Sequence, residues 1–113
     1  MNDDGPGVDT TGADAGDGEA APVLDELFAV IEDRKARLPE DSYTASLFTH
    51  ENGDDAVLEK VGEESTEVLL AAKNDDAEAL AHKSADLVYH LLVLLAANDL
   101  DLADLRAELR ERR

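Results

Sequence analysis

The sequence predicts an all-α fold, a four-helix chain that joins a second copy in an intertwined homodimeric helical bundle. Three observations predict it. Apolar residues recur at three- and four-residue spacing through most of residues 23–109. No strand-like alternation survives beside them. The eleven residues from Leu87 to Ala97 are apolar nearly all round, with His90 the one interruption. A helix apolar on every side is buried on every side. Three short neighbours in one chain cannot enclose it, so a homodimer with this helix at its centre is expected. A small core also gains from such pairing.

The elements follow in order. Residues 1–22 hold five of the seven Gly, two of the three Pro, six acids and no base, and are expected to be a disordered acidic tail. Residues 23–113 form the all-α domain. Its first helix runs from Val23 to about Leu38, with Leu24, Leu27, Phe28 and Ile31 on one face, and Pro39 ends it. Residues 39–53 have no clean period and close on Asn52-Gly53, so a loop with at most one short turn is expected. The second helix, Asp54 to Lys73, places Val57, Val61, Val68 and Ala72 roughly in line, and Asn74-Asp75 breaks it. Asp76 caps a third helix reaching Ala97, which Asn98-Asp99 ends. Asp101 caps a fourth, carried by Leu102, Leu105 and Leu109.

Charge and composition remove whole classes of function. The chain has 113 residues, 28 acids against 10 bases, a formal charge of −18 and a pI near 4.2. No Cys is present, which excludes a disulfide framework, a thiolate metal site and a Cys nucleophile. So negative a chain is no nucleic-acid binder, because that footprint is basic. An apolar run of eleven residues is too short to cross a bilayer, and the N-terminus lacks the pattern of a secretory signal, so the cytoplasm is expected. Acid excess with scarce Lys resembles proteins of salt-loving organisms, in which salt screens the self-repulsion.

Position singles out a few carboxylates from this acidic background. On the second helix Glu59, Glu63 and Glu67 recur every four residues, a like-charge series that weakens a helix unless a cation answers it. Glu64 lies at the edge of the Val57, Val61, Val68 stripe, where desolvation demands compensation. Glu67, one turn on, completes a Glu-x-x-Glu pair. Asp86 stands at the mouth of the buried stretch of the third helix. Three carboxylates without thiolate or imidazole suit Mg²⁺ or Mn²⁺ completed by phosphate oxygens and water; the plainer reading is a solvated acidic face. His82, Asp86 and His90 form a second stripe, open to a transition metal or to an exposed His82 and a packed His90. Arg34, Lys35 and Arg37 either complement the dipole of the first helix or clamp an anion together with the hydroxyls of Ser42, Tyr43 and Thr44. Arg106, Arg110, Arg112 and Arg113 read as a helix-end charge pattern. There is no P-loop and no Glu-x-x-His pair.

The segments Arg34-Lys35, Ser42-Tyr43-Thr44, Lys60-Val-Gly-Glu-Glu-Ser-Thr-Glu67, Ala71-Ala-Lys-Asn74 and Ala85-Asp-Leu-Val-Tyr-His-Leu-Leu-Val-Leu-Leu95 occur in an order that resembles the phosphoribosyl-ATP pyrophosphatase family, within the all-α nucleotide pyrophosphatase superfamily. The resemblance spans about Val23 to Leu109. It implies a helical dimer that hydrolyses the α–β anhydride of phosphoribosyl-ATP with Mg²⁺, in histidine biosynthesis. It implies that Glu64, Glu67 and Asp86 hold the metal and that Glu63 assists or orients water. It further implies that Lys60 and Lys73 meet phosphate charge, and that Arg34, Ser42, Tyr43 and Thr44 grip the substrate. Glu63 or Glu64 is the expected proton acceptor. One position departs from the superfamily pattern: Lys83 stands where the first acid of a second acid-x-x-Asp pair belongs. A housekeeping pyrophosphatase acting on ordinary or damaged nucleoside triphosphates, and a non-catalytic acidic binding module, are the alternatives.

Overall fold

A computed structural model describes residues 20–49 and 54–113. Five helices follow one another: α1 (Ala20–Arg37), α2 (Tyr43–Phe48), α3 (Asp55–Lys73), α4 (Ala77–Ala97) and α5 (Leu102–Arg110). All regular structure among the described residues is helical. The all-α expectation therefore holds, and the helix count is corrected from four to five. The extra helix is α2, inside the stretch expected to be a loop. Six residues are too few to show a period, but the start signal is there: Ser42 is the N-cap, accepting a bond from the Ala45 backbone N–H at 3.1 Å. Ala45 and Leu47 of α2 are buried.

α1 begins three residues before the predicted start. The expected tail otherwise lies outside the described residues, as does Asn52-Gly53. The chain divides between Val30 and Ile31. Of the first part, the structure describes residues 20–30 of α1, where Phe28 is buried. The second part, from Ile31 onward, contains everything discussed below.

In that part α3 packs along α4, and α2 lies against α4. Ile31, Val57, Leu92, Val93 and Ala96 form the innermost layer. The helix ends are fixed by bonds that the sequence signals in part. α3 closes with Asp76 N–H on the Ala71 carbonyl (3.1 Å) and Asp75 N–H on that of Ala72 (3.2 Å). α4 closes likewise, with Leu100 on Leu95 (2.9 Å) and Asp99 on Ala96 (3.1 Å). This closure needs a left-handed residue, and Asp75 (φ 55°) and Asp99 (φ 61°) take it where Gly is commoner. Lys35 then ties the end of α1 to that of α4, its Nζ donating to the Ala96 carbonyl (2.7 Å) and to Asp99 Oδ1 (2.9 Å).

α4 is not enclosed within one chain. His90, Leu92, Val93 and Ala96 are buried, whereas Val88 is 42 % and Leu91 40 % exposed. The all-round burial expected from its composition is thus incomplete in the single chain. Nor is α4 limited to the eleven-residue run. With its Ala-rich first half it reaches 21 residues, long and apolar enough by composition to span a bilayer. That first half also bears Lys83, which pairs with α3, as in a helix that packs inside a fold.

Candidate active site

α3 carries a buried line of Val57, Glu64 and Ala71, each two turns from the next. Val61 and Val68 flank it half-buried, and Ala71 rather than Ala72 is the buried alanine. Glu64 therefore sits within the core-facing line, not merely at its edge, and is only 6 % exposed. Its Oε2 stands 3.7 Å from Lys60 Nζ. Its Oε1 is buried with no hydrogen-bond partner. A carboxylate oxygen left in that state costs the chain free energy unless something arrives to satisfy it.

Around Glu64 the structure sets two lysines. Lys60 Nζ donates to Glu63 Oε1 at 2.9 Å. This bond, with the charges of Glu63 and Glu64, raises the Lys60 ammonium above its ordinary pKa against an opposing effect of burial. One turn beyond Glu64, Glu67 Oε1, also buried and without a directed hydrogen bond, meets Lys83 Nζ across α3 and α4 in an ion pair at 2.7 Å. The close contact with Lys83 holds the Glu67 carboxyl below the ordinary range. Lys83 is raised in turn, first by that contact with Glu67 and further by the charges of Glu67, Glu64 and Asp86. Asp86 is half-exposed, with Oδ2 3.7 Å from His82 Nε2.

The sequence expectation that Glu64, Glu67 and Asp86 converge on a metal needs qualification. Among the described residues no group of three or more His, Asp or Glu side chains stands ready to hold an ion. Lys83 is set against Glu67, and Lys60 stands near Glu64. The all-oxygen donor set and the unpartnered buried Oε1 of Glu64 still fit a hard divalent cation. The His82, Asp86, His90 stripe does not fit a transition metal, because both ring nitrogens of His90 are engaged. Its Nδ1 donates to the Asp86 backbone carbonyl at 2.9 Å. In the neutral ring this leaves Nε2 to accept from Tyr43 Oη at 3.0 Å.

That bond begins the second half of the site. α2 is fastened to α4 at two points, Tyr43 to His90 and Thr44 Oγ1 to Tyr89 Oη. The Tyr89 and His90 rings meet edge to face with centroids 4.8 Å apart. Tyr43 also lies in the field of the α3 charges. Burial is the main cause raising its phenol pKa; Lys60 opposes that, while Tyr89, Glu64 and Glu63 add to it. Tyr43, Lys60, Glu63 and Glu64 therefore share one neighbourhood, and Lys83, Glu67 and Asp86 adjoin it through Glu64.

The Ser42 hydroxyl caps α2. Arg34 Nη1 bonds Asp33 on its own helix, as does Arg37 Nε at 3.2 Å. Lys73 is exposed in the last turn of α3, roughly 13 Å along the helix axis from Glu64. The fasteners Tyr89 and His90 were missed as a pair; the signal available was two adjacent polar rings on an otherwise apolar helix, matched by Tyr43-Thr44.

Comparisons with known proteins point to one family. Residues 24–113 match the family described as phosphoribosyl-ATP pyrophosphohydrolase. A Haloarcula marismortui protein named phosphoribosyl-ATP pyrophosphatase is 72 % identical over 95 residues, covering 84 % of this chain and 97 % of its own. One of the same name from Natronomonas pharaonis is 70 % identical over 100 residues, covering 88 % and 99 %. A third, from Haloquadratum walsbyi, is 59 % identical over 90 residues, covering 80 % and 90 %. These haloarchaeal relatives fit the acid-rich composition.

Proposed function

The chain belongs to the phosphoribosyl-ATP pyrophosphohydrolase family, and from that premise we infer that its reaction is the one its relatives are named for. Water cleaves the α–β phosphoanhydride of phosphoribosyl-ATP, giving phosphoribosyl-AMP and pyrophosphate, a step of histidine biosynthesis. The chain is thus a hydrolase acting on a phosphoric anhydride, which sets aside the reading as a non-catalytic binding module. It works on a small nucleotide, and the cytoplasm is its proposed place.

The observation that carries the site reading is the buried Glu64 oxygen without a partner. In this reading Glu64, Glu67 and Asp86 would hold Mg²⁺, with Mn²⁺ the alternative. Such an ion supplies charge neutralisation at the anhydride oxygens and a lowered pKa for water. The residues do the rest. Lys60 pivots from Glu63 to a phosphate oxygen, and freed Glu63 or Glu64 takes the proton of the attacking water. Tyr43 and Thr44, fixed by His90 and Tyr89, present α2 to the nucleotide. Ser42 acts by holding that helix. Arg34 and Lys73 serve as outer contacts. Exposed Val88 and Leu91 on α4, with Leu69 and Leu70 on α3, support a homodimer covering these faces.

Pyrophosphate release from phosphoribosyl-ATP, beside ATP and dITP, in concentrated KCl with Mg²⁺ tests the reading. Release confined to phosphoribosyl-ATP and abolished by a chelator is expected. Release mainly from ATP or dITP would move the chain to the housekeeping reaction. Turnover that survives chelation would remove the metal from the mechanism.

A further inference from the structure

The charge around Glu64 has a definite balance. Glu63 is matched by Lys60 at 2.9 Å. Glu64, Glu67 and Asp86 remain, three negative charges. Lys83 faces them from α4, its Nζ 2.7 Å from Glu67 Oε1 and its charge also interacting with Glu64 and Asp86, while Lys60, already bonded to Glu63, stands 3.7 Å from Glu64 Oε2. Lys83 comes from α4 and Glu67 from α3, so the pair crosses the helix interface and both side chains are about two-thirds covered. A net charge of −2 is left, which one divalent ion neutralises. Meanwhile Glu64 Oε1, nine-tenths buried and unpartnered, remains the oxygen that such an ion would satisfy.

We propose that Lys83 is a built-in cation of the site, which occupies Glu67, limits the carboxylates to a single divalent ion and weakens their hold on it before substrate arrives. The proposal rests on the metal reading of Glu64 given above. A charge within about 4–6 Å changes the affinity of a carboxylate for a proton by roughly 10- to 1000-fold, and the same field acts on a metal ion. Removing the Lys83 charge therefore tightens the site. Reversing it leaves four uncompensated negative charges and room for a second ion. Lys83 acts here as a positioning and selectivity residue rather than a catalytic one.

The experiment is Mn²⁺ binding to the full chain without substrate. Free Mn²⁺ is followed by electron paramagnetic resonance at one fixed KCl concentration, with helicity checked by circular dichroism. The native chain should bind one ion weakly, and Lys83→Arg, which keeps the charge, should match it. Lys83→Met should bind one ion at least about tenfold more tightly, and Lys83→Glu should bind two. Glu64→Gln should lose binding. Equal affinity and stoichiometry in the native chain, Lys83→Met and Lys83→Glu would reduce Lys83 to a structural ion pair and overturn the proposal. So would Lys83→Arg binding as tightly as Lys83→Met. Unchanged binding in Glu64→Gln would instead overturn the metal reading itself, and the proposal with it.

Discussion

Where α2 meets α4, the polar atoms named above find partners: Tyr43 bonds His90, His90 bonds the Asp86 carbonyl, and Thr44 bonds Tyr89. Where α3 meets α4, Glu64 keeps an oxygen buried and unanswered. Both regions place polar groups against an apolar helix, and both carry the desolvation that goes with it. The first region recovers that cost at once through hydrogen bonds and so contributes to the fold. The second leaves it open, so its compensation has to come from outside the chain. A satisfied network therefore marks a fastener, and an unsatisfied one marks the place kept for a ligand.

The largest test of this contrast is Glu64→Gln. If the open oxygen is functional, turnover of phosphoribosyl-ATP should fall on the order of 10³-fold or more. The melting temperature should stay level or rise, because an amide replaces a buried charge that has no full partner. Steady-state kinetics and calorimetry on one preparation check both halves. A clear loss of melting temperature at retained turnover would make Glu64 a fastener after all.

Tyr89→Phe should behave in the opposite way, with a smaller effect. It removes the hydroxyl that Thr44 bonds and leaves the ring against His90 in place. A loss of about 1 kcal/mol is expected, which for a domain of this size lowers the melting temperature by roughly 4–8 °C. Because α2 then holds its place less firmly, KM should rise more than kcat falls. Scanning calorimetry and initial rates decide it; a drop in kcat alone at unchanged stability would put Tyr89 in the chemistry.

The two regions also differ in how far the sequence disclosed them. Helical periodicity located α1, α3, α4 and α5, since each is long enough to repeat its pattern. It located Glu64 too, because a carboxylate at a core register stands out against valines. It failed on α2, whose six residues complete fewer than two turns, so that only the Ser42 cap announced it. It failed also on the Tyr89–Thr44 bond, which joins residues 45 positions apart and leaves no local signature. Residue type proposes Arg34 and Lys73 as phosphate contacts, and the structure sets them beside Asp33 and in the last turn of α3.

The smallest expected effect lies on the pair that borders both regions. Glu67 is held below the ordinary carboxylate range by Lys83, so its contribution to stability is present above that range and is lost as pH falls through its lowered folded value. Lys83 is held above the ordinary ammonium range, so its contribution is present below that range and is lost as pH rises through its raised folded value. Without divalent ion, the melting temperature of the native chain minus that of Lys83→Met should therefore form a plateau through neutral pH and fall at both ends. Both side chains are about one-third exposed, so the plateau should be low and lower still in concentrated KCl. Thermal scans across pH at two salt concentrations measure it. A difference that stays flat into acid would mean that Lys83 contributes through packing of its stem, and the Glu67 carboxylate would then be as open to a ligand as that of Glu64.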